Sequence, residues 1–142
     1  MMFGKILLVD DDKICSFLHT ELLQELGLAR QVISLANGQL ALQYVQQHCL
    51  AGPREPGTCP DLILLDLHMP VMDGFEFLHE LTRLGLSALI GNAVVVLTTS
   101  DNTNDQCEAD QLRVKDYLVK PLTAETMADF LDRHYGARSN GH

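Results

Sequence analysis

The sequence predicts an α/β fold, a doubly wound parallel sheet of five strands with helices on both faces. Short apolar runs alternate five times with amphipathic stretches, which is typical of parallel strands connected by helices. The runs ILLV, LILL and VVVL are also continuously apolar. Parallel strands that are covered by helices on both faces have this pattern. The chain of 142 residues is long enough for one domain of this kind.

The first half of the chain predicts two strands and two helices. Strands are expected at residues 6–9 and 32–36, and each is followed by a helix. The first helix is expected over residues 13–26, with Gly27 as its C-cap signal. Its apolar positions recur at helical spacing: Ile14, Phe17, Leu18, Leu22 and Leu26. The second helix begins after a turn at Asn37-Gly38.

The second half contains a long loop, three strands and three helices. Residues 49–60 hold three prolines and two glycines and exceed the usual connection of about 4–6 residues, so they predict a surface insertion. The other elements are predicted as strands at 61–65, 93–97 and 117–119 and helices at 74–84, 102–112 and 123–135. The helix at 102–112 is polar nearly all round and is expected to be mobile. We expect one domain over residues 1–136 and a disordered tail over 137–142.

The acidic balance of the chain argues against several classes of partner. The formal net charge is -9, so the basic footprint of a nucleic-acid-binding protein is absent and an anionic membrane surface would repel the chain. No apolar run approaches the roughly 20 residues of a membrane span. The apolar run after Lys5 is too short for a signal peptide. These features predict a cytoplasmic protein with no nucleic-acid or membrane partner.

The four cysteines do not predict a metal site. Cys15, Cys49, Cys59 and Cys107 form no C-x-x-C pair. Cys49 and Cys59 flank the long loop and are near enough in sequence to be bridged. Free thiols are nevertheless the expectation, because disulfides are rare in cytoplasmic proteins.

Polar side chains follow four of the five predicted strands. Asp10 and Asp11 come after the first strand, Asp66 ends the third, Thr98 follows the fourth and Lys120 follows the fifth. In the flavodoxin-like strand order 2-1-3-4-5, the first and third strands are neighbours, and ligands bind at the carboxyl ends of the strands. We therefore expect these side chains to converge on one crevice.

Such a set of side chains fits phosphoryl chemistry around a divalent cation. Three crowded carboxylates repel one another, and Mg²⁺ removes that conflict because it binds through one or two carboxylates plus phosphate. Lys120 and the Thr98 hydroxyl would hold phosphoryl oxygens. Asp66 would be the nucleophile, since a carboxylate with a usual pKa of about 3.9 is already ionised at neutral pH.

Four motifs carry a resemblance to a known family: ILLVDDD at the first strand, DLILLDLHMPVMDG around Asp66, VVVLTTS at the fourth strand and DYLVKP near the end. With them, the chain resembles the receiver domain of two-component response regulators over roughly residues 4–135. The resemblance implies that Asp66 is the phosphoacceptor and that Asp11 binds Mg²⁺ directly. It also implies that Asp10 holds the ion through water and that the backbone carbonyl of His68 is a further ligand.

The same resemblance assigns roles near the ends of the last two strands. Thr98 and Tyr117 are similar to the family's switch pair, and Lys120 to its phosphate-binding lysine, with a cis peptide bond before Pro121. Thr99 is an alternative to Thr98, because hydroxyl residues follow one another there. By its position alone, Asp12 is expected to cap the first helix.

The implied function is that of a stand-alone signalling module, which is no enzyme beyond its own phosphorylation and dephosphorylation. A sensor histidine kinase would donate the phosphoryl group to Asp66. The face formed by the fourth helix, the fifth strand and the last helix would then change its downstream protein partner or pair in a homodimer. The long loop and VVVLTTS resemble small regulators of phytochrome-type kinases. Asp116, where a small residue is common, and ADQLRVK before the fifth strand depart from the family pattern.

Two other functions stay open at this stage. Asp10 and Asp12 have the D-x-D spacing of haloacid-dehalogenase-type phosphatases, in which Asp10 would be the nucleophile and Asp12 the acid/base. A flavin-binding module has a similar architecture, although the acids after the first strand would repel its phosphate. Locating the phosphoryl group on Asp66 or on Asp10 distinguishes the phosphatase, and a lack of yellow colour counts against the flavin module.

Overall fold

The computed structural model describes residues 3–49, 59–67, 69–86, 93–98 and 114–136. These residues form one sheet of five parallel strands in the order β2-β1-β3-β4-β5. The strands are β1 (Phe3–Val9), β2 (Ala29–Leu35), β3 (Leu62–Asp66), β4 (Val94–Thr98) and β5 (Asp116–Val119). The helices are α1 (Lys13–Glu25), α2 (Gly38–Cys49), α3 (Gly74–Arg83) and α4 (Ala124–Tyr135). The predicted fold class and strand order are confirmed.

Helices cover both faces of the sheet, and each face has its own apolar layer. One layer contains α2 and α3, and the other contains α1 and α4. Alternate residues of β1 and β3 enter the two layers: Leu7, Val9, Ile63 and Leu65 the first, and Ile6, Leu8, Leu62 and Leu64 the second. All of these side chains are fully buried. Burial on both faces explains why the strands are continuous apolar runs in the sequence.

Helix α1 forms where the sequence predicts it, but its apolar stripe does not face the sheet. Ile14, Phe17 and Leu18 expose 74%, 62% and 58% of their surface. The buried residues of α1 are Ser16, His19 and Leu23. Two of the three buried residues of α1 are therefore polar, which is unusual for a helix packed on a sheet, and Leu22 packs beside Leu23 while it is only partly buried.

A disulfide joins Cys49, the last residue of α2, to Cys59, which lies three residues before β3. The expectation of free thiols at these two positions is therefore wrong. The Cα atoms are 4.9 Å apart, because the end of α2 and the segment before β3 lie side by side although the two cysteines are ten positions apart in sequence. Cys15 is a free thiol.

Several predicted segments lie outside the described residues. They are residues 50–58 of the long loop, the helix at 102–112 and the tail at 137–142. Within the described part of the chain, none of the helices has the length and apolar character that crossing a bilayer requires.

Candidate functional site

The three predicted acids meet at the carboxyl ends of β1 and β3. Val9 pairs with Leu65 in the sheet, so Asp10 and Asp66 leave the two strands side by side. Carboxylate oxygens of Asp10, Asp11 and Asp66 lie within 4.8 Å of one another. Asp10 and Asp66 are buried, with 3% and 8% of their surface exposed, whereas Asp11 is exposed. Parallel pairing therefore produces the acidic cluster that the sequence predicts.

Lys120 joins these acids from the end of β5. Its Nζ lies 3.2 Å from Oδ2 of Asp10 and 3.6 Å from Oδ2 of Asp66. Burial opposes the charged form, but the negative charges of Asp66 and Asp10 hold the pKa of Lys120 above its usual value. The lysine is thus a fixed cation between the two buried carboxylates.

The backbone around Lys120 is held from two sides. The N–H of Lys120 donates to the carbonyl oxygen of Thr98 at 2.8 Å, and the peptide bond to Pro121 is cis, as the resemblance implies. On the other side, the N–H of Leu122 donates to Nε2 of His19 at 3.2 Å. Burial lowers the pKa of His19 although the charge of Asp10 raises it, so the ring is neutral at neutral pH.

The Thr98 hydroxyl is buried at the end of β4 and has no hydrogen-bond partner among the described residues. A buried hydroxyl without a partner costs about 1–3 kcal/mol, so a group that it can bind would stabilise the site. Tyr117 of β5 is partly buried against the apolar layer that contains α2 and α3. His68 and Thr99 lie outside the described residues, so the predicted carbonyl ligand stays a prediction.

Asp12 both begins α1 and orients Asp10. Its Oδ1 accepts hydrogen bonds from the N–H groups of Ile14 and Cys15 at 3.0 and 3.1 Å, so the predicted N-cap is confirmed. Its own N–H donates to Oδ1 of Asp10 at 3.0 Å. The start of the helix therefore fixes the carboxylate of Asp10 in the site. The helix start also engages Oδ1 of Asp12 as a cap, which is a structural role and not the acid/base role that a phosphatase of the D-x-D type would need.

Two polar contacts of the fold were not predicted from the sequence. Asp116, noted only as a departure from the family pattern, accepts from Arg133 at 2.5 Å and pairs with Nε2 of His134 at 2.8 Å. Burial would raise the pKa of Asp116, but these partners and the N–H of Tyr117 hold it below its usual value. The role of His19 was also missed; only its four-residue spacing from Cys15 on one helix face indicated a pair.

The composition of the acidic cluster fits a hard divalent cation. Asp10, Asp11 and Asp66 carry a formal charge of -3, and Lys120 supplies +1, which leaves -2 at the site. The donor atoms at this cluster are carboxylate oxygens, which Mg²⁺ prefers. One such ion would neutralise the cluster, and the exposure of Asp11 leaves the ion side of the site open to solvent.

A parallel sheet with acids, a lysine and a buried hydroxyl at its carboxyl edge defines a class of signalling module, and comparison with known proteins identifies it. The family model described as "Response regulator receiver domain" matches residues 6–132. The chain belongs to this family of receiver domains. It is therefore a phosphoacceptor module of two-component signalling.

Known relatives are similar over most of the chain. Response regulator Rcp1 from Synechocystis sp. is 40% identical over 115 residues, which are 81% of this chain and 75% of that protein. The bacteriophytochrome response regulator RtBRR has a TM-score of 0.71 and 34% identity over 90% of this chain and 75% of its own. The receiver domain of sensor histidine kinase PA1611 from Pseudomonas aeruginosa also has a TM-score of 0.71, with 26% identity over 94% of this chain and 98% of its own. That structure holds a magnesium ion in its active-site cleft.

Proposed function

We propose that Asp66 accepts a phosphoryl group from the phosphohistidine of a sensor histidine kinase, in a reaction that needs Mg²⁺. This proposal rests on the acidic cluster, in which carboxylate oxygens of Asp10, Asp11 and Asp66 lie within 4.8 Å of one another and Lys120 Nζ lies 3.2 Å from Asp10 and 3.6 Å from Asp66. Asp11 would bind the ion directly and Asp10 through water, with the backbone carbonyl of His68 as a further ligand. The magnesium in the cleft of the PA1611 receiver domain supports this choice of cation.

In the proposed reaction, Asp66 forms the new P–O bond while the P–N bond to the kinase histidine breaks. The bonding pair returns to the imidazole nitrogen of the kinase, and no base is needed because the Asp66 carboxylate is already an anion. Lys120 would hold one phosphoryl oxygen as its Nζ moves from the carboxylate to the phosphate. The ion, when bound, neutralises charge on the phosphoryl oxygens.

Thr98 would respond to phosphorylation of Asp66. Its buried hydroxyl lacks a partner among the described residues, and a phosphoryl oxygen on Asp66 would give it one. Movement of Thr98 toward the phosphate would leave space that Tyr117 enters. The surface that includes β5 and α4 would then bind a different downstream protein or pair in a homodimer.

The exposed stripe on α1 supports contact with the kinase. Ile14, Phe17 and Leu18 form an apolar patch directly after the acids of the site, and apolar patches of this kind mark protein interfaces. Phe17 also lines a groove of about 360 Å³ that reaches Asp10 and Asp11. A kinase that rests on this patch would bring its phosphohistidine to the open side of Asp66. Similarity to RtBRR favours a phytochrome-type kinase.

The remaining parts of the proposal concern the extent and setting of the module. We propose that the receiver domain covers residues 1–136, and the family match over residues 6–132 and the end of α4 at Tyr135 support these bounds. The module would work in the cytoplasm, beside the kinase domain that phosphorylates it. Its only reactions would be its own phosphorylation and dephosphorylation.

Incubation with acetyl phosphate and Mg²⁺ tests the acceptor, and a phosphate-affinity gel provides the readout. Wild-type protein should show a shifted band that needs Mg²⁺, and Asp66→Asn should show none. Asp61→Asn is the matched control, because Asp61 precedes the opposite end of β3 and binds the N–H groups of Gly4 and Lys5. A shifted band in Asp66→Asn would remove Asp66 as the acceptor.

The patch on α1 has a separate test with an active kinase as the donor. Phe17→Ala should slow transfer from the kinase about tenfold or more, while phosphorylation by acetyl phosphate keeps its wild-type rate. Equal slowing with both donors would contradict the role of the patch in docking.

A further inference from the structure

His19 connects the buried face of α1 to the segment that carries Lys120. The side chain is 2% exposed. Its Nε2 accepts the hydrogen bond from the N–H of Leu122 at 3.2 Å, a contact across 103 positions of the sequence. Leu122 lies two residues after Lys120, beyond the cis bond to Pro121. A polar side chain of α1 is therefore anchored to the backbone next to the lysine of the site.

This hydrogen bond determines which ring nitrogen carries the proton. A backbone N–H can only donate, so Nε2 is the unprotonated nitrogen of His19. The proton of the neutral ring is then on Nδ1, which lies 3.9 Å from Sγ of Cys15. A histidine fixed as the Nδ1–H tautomer has a distinct signature in nitrogen NMR.

Cys15 continues this chain of contacts to the acid cluster. Its thiol lies beside the carboxylate of Asp10. A carboxylate oxygen of Asp10, Sγ of Cys15 and a ring nitrogen of His19 lie within 4.8 Å of one another. A chain of contacts thus connects Leu122 through His19 and Cys15 to Asp10. Asp10 in turn accepts a hydrogen bond from the Lys120 ammonium.

We propose that His19 is a positioning residue for phosphorylation of Asp66, an inference that rests on the proposed function. By holding Leu122, it fixes the backbone from which Lys120 reaches between Asp10 and Asp66. Apolar packing alone would leave the N–H of Leu122 without an acceptor and the segment free to shift. A displacement of about 1 Å at a reacting group is enough to reduce a rate severalfold to a hundredfold.

Rates of phosphorylation by acetyl phosphate in His19→Leu and His19→Gln test this inference. Leucine removes the acceptor, and the rate per folded molecule should fall about tenfold. Glutamine supplies a side-chain oxygen at a similar reach, and the rate should stay within about threefold of wild type. Leu23→Ala is the matched control, because Leu23 lies one turn further on the same buried face of α1 and belongs to the apolar layer that contains α1 and α4. Leu23→Ala should lower the free energy of unfolding and keep the wild-type rate of phosphorylation.

Nitrogen NMR of His19 gives a readout that does not depend on phosphorylation. The expected spectrum is that of a neutral ring with a protonated Nδ1, and a protonated Nε2 would overturn the inference. So would wild-type rates in both His19 variants, or rates that fall in all three variants in proportion to lost stability. A wild-type protein that acetyl phosphate does not modify at all would refute the proposed function instead, while the NMR result would still decide whether His19 holds Leu122.

Discussion

Helices α1 and α3 each follow a strand that supplies an acid to the site, yet they pack on the sheet in opposite ways. Helix α3 buries its apolar side chains: Phe77, Leu78 and Leu81. Helix α1 exposes most of its apolar stripe and buries Ser16 and His19 beside a single leucine, Leu23. Both helices have an aspartate as N-cap, so the difference lies in what their inner faces contact.

This difference separates two tasks. Apolar burial holds α3 and supports the exit of β3, where Asp66 lies. Helix α1 combines the packing of Leu22 and Leu23 with hydrogen bonds to the segment after β5 and to Asp10. Its other apolar residues, Ile14, Phe17 and Leu18, stay exposed, as the proposed contact with a kinase requires. A helix that has to bind a partner reversibly cannot bury the same residues in its own core.

Alanine substitutions of one phenylalanine in each helix test this difference between α1 and α3, and they should give the largest effect on stability. Phe77→Ala should lower the free energy of unfolding by about 3–5 kcal/mol, because it leaves a cavity in a fully buried position. Phe17→Ala should change it by less than about 0.5 kcal/mol, because that ring is largely exposed. Urea denaturation of both variants measures the difference. A loss above 2 kcal/mol in Phe17→Ala would show that α1 is held by its apolar stripe after all.

A substitution at Gly74 tests how closely α3 packs against β3, the strand that ends at Asp66. A Cβ at this position would lie 2.7 Å from the carbonyl oxygen of Asp66 and 2.8 Å from Cα of Leu67, and both are backbone atoms. Gly74→Ala should therefore lower the free energy of unfolding by about 1–3 kcal/mol, and it should slow phosphorylation by moving β3. Thermal unfolding and the acetyl phosphate assay measure the two effects. If Gly74→Ala keeps the wild-type free energy of unfolding, α3 can move away from β3 without cost.

The sheet was predictable because its residues obey one rule. Strands β3 and β4 and residues 6–9 of β1 are buried on both faces, so apolar runs such as residues 62–65 identify these strands without knowledge of their neighbours, whereas the edge strands β2 and β5 are partly exposed. The strand order then brings Asp10, Asp66 and Lys120 together, and the acidic site follows from the sequence. Helix α3 was predictable for the same reason, since its apolar positions face the core.

Features that depend on particular distant contacts were not predictable. The stripe of Phe17 and its neighbours has the spacing of a core face, and nothing local shows that it lies on the surface. His19 acquires its role from Leu122, which is far away in sequence. The link between Cys49 and Cys59 contradicts an expectation from the cellular compartment, because the two residues come close only when the end of α2 lies beside the segment that leads into β3.

Substitutions of the two N-cap residues give a smaller effect. Both should lower the free energy of unfolding by a similar amount, and neither should abolish phosphorylation of Asp66. Asp73 forms a capping box with Glu76, with hydrogen bonds of 2.9 and 3.0 Å, and Asp12 caps α1. Asp73→Ala and Asp12→Ala should each cost about 1 kcal/mol in the free energy of unfolding. Phosphorylation of Asp66 should continue in Asp12→Ala, since the contact to Asp10 uses the backbone N–H. Complete loss of phosphorylation in this variant would show that Asp12 has a chemical role.

Helix α4, like α1, has polar contacts that attach it to the sheet. Asp116 of β5 pairs with Arg133 and His134 at the end of this helix. The pKa of Asp116 lies below its usual value of 3.8 in the folded protein, so its contribution is complete above that value and is lost as the pH falls through the folded pKa. At neutral pH, Asp116→Asn should lower the free energy of unfolding by about 0.5–1 kcal/mol, since Arg133 is half exposed.

Denaturation of wild type and Asp116→Asn between pH 3 and pH 7 measures this smallest effect, and the difference should shrink below about pH 4. Glu80→Gln is the matched control, because its partner Arg83 lies on the same helix α3 and the pair joins no separate elements. It should show no measurable change at any pH. A constant difference for Asp116→Asn across the range would mean that charge at residue 116 does not hold α4, and that this helix, like α3, depends on apolar burial by residues such as Phe130.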